Sequence, residues 1–357
     1  MILPEALLRH LSERLPEFEA AGMPEPLQGG YLNYVWRVRG TPNSAWGSVI
    51  IKHAPSHIAA MPDVPLDPRR ILIEANALTA FGAQGACSAV ASSAIRAPHL
   101  FDLDASQHIL IMEDVGEHVD LGAWLHQGRQ GSDESRIVGS QLGEFIGRLH
   151  LLSYGDQQLA PLFANQTIQQ TRLEVQYRVI EELAIKCALS DAKMLGERAL
   201  ALGEQFLQPG SCVIMGDLWP PSLLMTSAGL RVIDWELAHF GQPAQDIGHL
   251  VAHLWMQRHR APNRQIAAQA DILLQSLLQS YRTTLGDLFD PIFGTKGIHQ
   301  SSIHFGAELF VRTVGAFQSG YLYDGLSIDH PLIQEAVQVA AAHIRTPERV
   351  DTFKNKN

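Results

Sequence analysis

The sequence predicts an α+β protein of two lobes, a small β-rich N-terminal lobe over residues 1–115 and a larger, mainly helical lobe over residues 116–357. A chain of 357 residues, 46% of them hydrophobic, can fill more than one ordinary core, so its length favours two lobes. Strand-like alternation of apolar and polar residues dominates up to residue 116, whereas helical spacing prevails from Gly139 onward. This change of pattern places the boundary near residues 113–120.

The N-terminal lobe is predicted to be an open sheet with one helix inserted. After an opening helix, strand-like segments follow at residues 29–40, 46–55 and 99–116, and a polar turn divides the last of them into two strands. Helical periodicity starts at Ile71, directly after the helix-start signal of Asp67 and Pro68.

The second lobe is predicted from helical segments at residues 139–153, 180–207, 246–258, 265–286 and 331–345. Two short strand candidates interrupt these helices, at Cys212–Met215 and Leu230–Trp235. The loop MGDLWPPSLL, residues 215–224, lies between them. The polar residues at the ends of these strands are the first indication of chemistry.

The composition argues against several classes of protein. The net charge of −10 opposes a role as a duplex nucleic-acid binder, which needs clustered Lys and Arg. The N-terminus lacks the pattern of a signal peptide, and no apolar run is long enough for a membrane span. Three distant cysteines form neither a disulfide framework nor a metal motif. We therefore expect a cytoplasmic protein with neither a membrane nor a nucleic-acid partner, and the sequence leaves its oligomeric state open.

Clustered charges predict a phosphate and metal site. Lys52 ends an apolar strand, and Glu74 lies on the helix that follows. Asp217 follows a second apolar strand, while Asp234 and Glu236 form a D-x-E sequence at the end of the next. Since the connection from Asp217 to Asp234 is short enough for a hairpin-like arrangement, the carboxylates can point into one cleft. Such carboxylates attract a divalent cation, and Mg²⁺ is the natural expectation.

The order of these motifs resembles that of the protein-kinase-like phosphotransferase superfamily, and in particular its aminoglycoside phosphotransferase and methylthioribose kinase family. The resemblance covers roughly residues 25–320, and it is carried by the segments GGYLNYVWRV, VIIK, RRILIEANAL, ILIMEDVG, MGDLWPPSLL, VIDWELA, AQDIGHL and FGAELFVRTVGAF. It implies a two-lobed protein-kinase-like fold. It also implies that the enzyme transfers the γ-phosphate of ATP to a hydroxyl of a sugar-like or other small metabolite.

The resemblance also implies individual roles. Asp217 takes the position of the catalytic base, and Asp246 supports its loop. The residues expected to bind ATP are Gly29, Gly30, Asn33, Lys52, Glu74 and, at the hinge through backbone groups, Glu113 and Val115. Those expected to hold Mg²⁺ are Asp234, Glu236 and Ser222, and those expected to contact the substrate are Trp219 and Arg312.

The catalytic loop departs from the family pattern at several positions. Met215 replaces a His, Trp219 and Pro221 replace other loop residues, and Ser222 replaces an Asn, a change that the methylthioribose kinases share. The paired arginines of that branch are reduced to Arg312. Two interpretations of Trp219 remain open, packing beneath the lobe or lining a site for a less polar acceptor. The alternative to a kinase is therefore a pseudokinase, or a non-phosphoryl reaction in the same cleft.

The sequence HLVAH places His249 and His253 on one helical face, as in a zinc pair. It lacks the Glu of H-E-x-x-H, and it lies in an apolar helix. We therefore expect histidines of the core or of the lobe interface.

Overall fold

The structure is a computed structural model that describes residues 3–27, 31–349 and 352–353. Its strands are β1 Glu25–Pro26, β2 Tyr34–Arg39, β3 Ser48–His53, β4 His57–Ile58, β5 Met61–Pro65, β6 Ile95–Arg96, β7 Leu100–Asp104, β8 Ile109–Glu113, β9 Val119–Asp120, β10 Cys212–Ile214, β11 Leu223–Thr226, β12 Gly229–Val232 and β13 His239–Gly241. Its α-helices are α1 Pro4–Arg14, α2 Arg70–Phe81, α3 Leu121–Gln127, α4 Ser132–Ser153, α5 Leu159–Leu162, α6 Gln166–Arg172, α7 Ile180–Lys186, α8 Ala192–Gln205, α9 Pro243–His259, α10 Arg264–Leu285, α11 Phe289–Phe293, α12 Gly297–Thr313 and α13 Pro331–Arg345.

The N-terminal lobe is built on a five-stranded antiparallel sheet in the order β1-β2-β3-β8-β7. Because side chains alternate along a strand, β3 sends Val49 and Ile51 into the cluster that contains residues of α1, and Ile50 into the cluster that contains residues of α2. Lys52 follows Ile50 by two positions and therefore leaves the sheet on the α2 face. The predicted open sheet with one inserted helix is confirmed.

The helical lobe includes a second small sheet in the order β6-β12-β11-β9. Its hairpin of β11 and β12 follows the loop that carries Asp217, and β6 from the N-terminal part of the chain pairs with β12 in parallel, with Ile95 opposite Leu230. The predicted strand Leu230–Trp235 ends at Val232. The partner strand β11 and the helix α12 are elements that the sequence analysis does not predict.

Close packing of α4 against α10 organises this lobe. A Cβ atom on Gly139 would lie 2.2 Å from the carbonyl oxygen of Leu273, and one on Gly143 would lie 2.2 Å from that of Leu277. The glycines are four residues apart and share a face, so the two helices approach backbone to backbone. This pair supports α9, which is buried along most of its length.

The cysteines Cys87, Cys187 and Cys212 are buried free thiols, in agreement with the absence of a disulfide pattern. Burial raises the pKa of the Cys87 thiol to about 11. Among the described residues, no helix is long and apolar enough to cross a membrane.

Candidate active site

Lys52 contacts residues of both lobes. Its Nζ lies 2.8 and 2.9 Å from the two carboxylate oxygens of Glu74 on α2, and 2.6 Å from Oδ1 of Asp234 in the helical lobe. Burial alone would lower the pKa of Lys52, but the nearby carboxylates, Asp234 and Glu74 first among them, raise it above its ordinary value. The lysine is therefore a permanent cation, and the structure brings together the strand, helix and D-x-E residues selected from the sequence.

Glu236 and Asn33 bind each other and a residue that the sequence analysis does not select, Arg70. Asn33 donates from Nδ2 to Glu236 Oε1 at 2.7 Å, and Arg70 donates from Nε to Glu236 Oε2 at 2.9 Å. A further bond joins Arg70 Nη2 to Asn33 Oδ1 at 2.9 Å. Together with the lysine contacts, these bonds define an interlobe cluster composed of Asn33, Lys52, Arg70, Glu74, Asp234 and Glu236.

The loop that carries Asp217 is held by Asp246 at the start of α9. The carboxylate of Asp246 accepts hydrogen bonds from the backbone N–H groups of Met215 at 2.8 Å and Gly216 at 2.9 Å. Burial alone would raise the pKa of Asp246, but the contact with His150 and these loop N–H groups lower it below its usual range. Gly216 has φ of +76°, and a Cβ there would lie 2.4 Å from the carbonyl oxygen of Leu237, so this turn needs glycine.

The Asp217 side chain is held by Arg172, the last residue of α6. Arg172 Nη2 lies 2.6 Å from Asp217 Oδ1, and its Nη1 donates to Gln176 Oε1 at 2.8 Å. Gln176 in turn donates to Glu308 Oε2 at 2.8 Å and contacts His249 Nε2 at 2.9 Å. Gln176 belongs to a short π-helical segment, Leu173–Tyr177, a distortion that often occurs at functional sites.

Glu308 connects this chain of hydrogen bonds to Arg312 and, through it, to Trp219, two residues after Asp217 in the same loop. Its Oε1 accepts from Arg312 Nε at 2.8 Å and contacts His253 Nε2 at 3.0 Å. The guanidinium of Arg312 lies 4.5 Å from the ring centroid of Trp219, with Tyr321 also in range. We call this set the helical-lobe network, which consists of Arg172, Gln176, Asp217, His249, His253, Glu308 and Arg312.

Trp219 and Arg312, the predicted substrate residues, therefore lie against each other. The indole is partly buried and packs beside His253 at 5.6 Å and Tyr321 at 5.5 Å between ring centroids. The Arg312 side chain is 12% exposed, so most of it packs within the lobe.

The residues expected to hold a divalent cation fall into two groups. The backbone of Asp234 is strained, with φ of +64°, and its side chain is 45% exposed, so its carboxylate is accessible. The buried Oγ of Ser222 makes no hydrogen bond within the described part of the chain. The backbone N–H of Ile233 bonds to the carbonyl oxygen of Ser222 at 2.9 Å, which places Ser222 beside Asp234. Both carboxylate oxygens of the third residue, Glu236, are occupied by the interlobe cluster.

The remaining residues predicted to bind the nucleotide are Glu113 and Val115, at the predicted hinge, and Gly29 and Gly30. Glu113 forms an ion pair with Arg96, its Oε1 lying 2.6 Å from Nη2, and its backbone N–H bonds to His99. The backbone groups of Val115 make no hydrogen bond among the described residues. Gly29 and Gly30 lie outside those residues.

The histidines of HLVAH, His249 and His253, are buried on α9 in the helical-lobe network. Burial lowers the pKa of His249 to about 4. No group of three or more His, Cys, Asp or Glu residues in the described ranges has the arrangement of a metal site. The expectation of core histidines rather than a zinc pair agrees with this placement.

Comparison with known proteins establishes the family. A family model described as the phosphotransferase enzyme family, APH, matches residues 24–283, and the chain therefore belongs to that family of enzymes. It is 28% identical over 263 residues to the 4-hydroxytryptamine kinase of Psilocybe cyanescens, covering 71% of this chain and 73% of the relative. It is also 25% identical over 326 residues to a methylthioribose kinase of a Geobacillus species, covering 80% and 76%.

Solved structures show the same fold. A glucosamine kinase complex aligns with a TM-score of 0.52 and 13% identity, over 98% of this chain and 86% of the other. An ADP-bound aminoglycoside phosphotransferase aligns with a TM-score of 0.51 and 14% identity, over 96% and 99%. The two-lobed kinase-like fold expected from the sequence is confirmed.

Proposed function

We propose that this protein is an ATP-dependent kinase that transfers the γ-phosphate to a hydroxyl of a sugar-like or other small metabolite, with Mg²⁺ as the bound cation. The observation that carries the proposal is the convergence of Glu74 and Asp234 on the buried Lys52. A fixed cation held by one carboxylate, next to an accessible second carboxylate, suits a nucleotide phosphate and its metal ion.

The donor set supports a hard divalent cation. Asp234 offers a carboxylate that is 45% exposed although its Oδ1 is paired with Lys52, and the buried Ser222 hydroxyl lacks a partner in the described chain. These two residues are therefore the oxygen donors proposed for the cation. When bound, the cation would neutralise charge on the phosphates. The contacts of Lys52 with Glu74 and Asp234 hold the Asp234 carboxylate in position.

Asp217 is proposed as the residue that orients the acceptor hydroxyl and accepts its proton. Arg172 fixes the carboxylate at 2.6 Å, and Asp246 fixes the loop backbone, so the base is positioned before the acceptor arrives. Positioning and charge neutralisation account for most catalysis in this class of reaction.

The names of the relatives suggest which classes of acceptor to test. One is named for 4-hydroxytryptamine, an amine whose hydroxyl is phenolic, and another for methylthioribose, a sugar. The partly buried ring of Trp219, two residues from Asp217, supports an acceptor with an apolar face. Both compounds therefore belong in a screen of hydroxylated metabolites.

The test combines binding and turnover in the full chain. We expect ATP with Mg²⁺ to raise the melting temperature more than ATP alone, and mass spectrometry of the acceptor screen to find one phosphorylated product. Asp217→Asn is expected to lower kcat by about 10²–10⁴-fold, the usual contribution of a positioned base. The exposed Asp287→Asn serves as the matched control.

Two results would count against the proposal. The absence of any Mg²⁺-dependent stabilisation by ATP would favour the pseudokinase or non-phosphoryl alternative. Unchanged phosphate transfer by the Asp217→Asn variant would show that Asp217 is not the catalytic base.

A further inference from the structure

Arg70 is a buried cation whose donors are all occupied. Its Nε bonds to Glu236, its Nη1 to the carbonyl oxygens of Pro55 and Asp67, and its Nη2 to the carbonyl oxygen of Leu32 and to Asn33 Oδ1, each at 2.9 Å. Five N–H groups meet five acceptors, which is the full capacity of a guanidinium. Such a residue joins the turn before β2, the segment after β3 and the start of α2 at one point.

Glu236 connects that point to the helical lobe. Its carboxylate faces Arg70 and Asn33, while its backbone carbonyl accepts a hydrogen bond from Asn165 Nδ2 at 3.0 Å. The side chain of Glu236 is 7% exposed, against 45% for that of Asp234 two residues earlier. A guanidinium 2.9 Å from Glu236 Oε2 already neutralises the charge that a metal ion would use.

The position of Arg70 on α2 links this pair to the phosphate-binding lysine. Arg70 and Glu74 are four residues apart and share one face of the helix. Glu74 holds Lys52, Lys52 holds Asp234, and Arg70 holds Glu236, so two ion-paired contacts fasten consecutive turns of α2 to the segment 234–236. Both contacts therefore help to hold the helix that orients the lysine.

We propose that Arg70, Glu236 and Asn33 form an interlobe clamp that positions α2 and the turn before β2 for the nucleotide, with Glu236 acting through its ion pair and not as a metal ligand. Glu236 is then a positioning residue, and Asp234 with Ser222 supplies the protein oxygens for the cation. This inference rests on the proposed nucleotide binding. It predicts that Glu236 affects nucleotide affinity even when no metal is present.

The experiment measures two affinities in the full chain. Calorimetry gives the affinity for the non-hydrolysable nucleotide AMP-PNP in EDTA, and electron paramagnetic resonance gives the affinity of Mn²⁺ for the nucleotide complex. Glu236→Gln is expected to weaken metal-free AMP-PNP binding by about tenfold, and Arg70→Met by at least as much, because it also removes four further hydrogen bonds. The double variant should bind no more weakly than Arg70→Met, since the contact with Glu236 is already lost.

Asp234→Asn provides the comparison for the metal. It is expected to lower Mn²⁺ affinity by at least about tenfold, whereas Glu236→Gln leaves that affinity within about threefold of the wild type. Glu144→Gln, which removes a carboxylate from an exposed ion pair with Arg148, is the matched control and should change neither affinity. Asn33→Ala removes one neutral contact of the clamp and is expected to weaken metal-free binding less than Glu236→Gln, so it tests the clamp if Arg70→Met does not fold.

The outcomes separate the inference from the proposed function. If Glu236→Gln loses Mn²⁺ affinity as Asp234→Asn does and binds metal-free AMP-PNP normally, Glu236 is a metal ligand and the clamp is wrong. If the clamp variants all bind AMP-PNP as the wild type does, the contacts have no positioning role and the inference is again overturned. If the wild type binds no AMP-PNP, the proposed function and the clamp fail together.

Discussion

The interlobe cluster and the helical-lobe network hold opposite ends of the segment from Asp217 to Glu236, and they are built differently. The interlobe cluster joins residues of both lobes, so it depends on how the lobes sit together. The helical-lobe network lies within one lobe, on helices that pack closely. The proposed nucleotide side therefore depends on contacts between the lobes, whereas Asp217, the proposed base, is held by a contact within one lobe.

Asp246, which supports the loop that carries Asp217, is expected to contribute most to stability. Asp246→Asn replaces a buried carboxylate that accepts two loop N–H groups, and we expect the free energy of unfolding to fall by about 3–5 kcal/mol. Urea denaturation followed by circular dichroism measures this change. Asp271→Asn, in an exposed pair with Arg258, should change stability by less than about 1 kcal/mol. Equal effects of the two variants would show that the loop does not depend on this support.

Removal of the lysine tests the interlobe cluster alone. Lys52→Met deletes the cation proposed to meet the phosphates, and we expect AMP-PNP affinity to fall by about 10- to 100-fold, the range of a charge-assisted contact. Calorimetry measures it, with the exposed Lys193→Met as control. An unchanged affinity of the Lys52→Met variant would show that the nucleotide phosphates do not contact Lys52.

Acid is expected to weaken the helical-lobe network. Burial lowers the pKa of His249 in the folded protein to about 4. As the pH falls below the ordinary histidine pKa of about 6.5, the unfolded chain therefore binds a proton on this residue while the folded protein does not. The contribution of neutral His249 to the free energy of unfolding is complete above about pH 6.5 and is lost toward pH 4. The loss between about pH 7 and pH 5 amounts to roughly 2 kcal/mol. Urea titrations at both pH values should show a smaller pH-dependent loss for His249→Gln than for the wild type. An identical pH dependence of the two proteins would contradict the prediction.

The smallest effect concerns the aromatic contact of Arg312. Arg312→Lys keeps a charge near Glu308 but loses the planar stacking over Trp219, and we expect a loss of about 1 kcal/mol in unfolding free energy. Denaturation measures that loss, with the exposed Arg258→Lys as control. AMP-PNP affinity should stay the same, since this residue belongs to the other region. A weakened nucleotide affinity would show that the two regions are coupled.

The sequence patterns were most informative for the residues proposed to bind the nucleotide and its cation. Lys52, Glu74 and Asp234 follow from motifs at strand and helix positions, and they converge in the structure. Arg70 had a signal that could have been used, since a charged residue four positions before Glu74 shares its helical face. Arg172 had no such signal, because it lies in a polar helical segment without a motif, and its partner Asp217 is 45 positions away.

The two-lobed fold and the residues at the motif positions follow from the sequence, because alternation, helical periodicity and motif spacing are local properties of the chain. Which of these residues bind each other depends on the tertiary structure. Asn33 meets Glu236 across 203 positions, and Arg70 meets it across 166. Contacts of that separation depend on how the sheet and helices pack, and the charge of each side chain alone does not specify its partner.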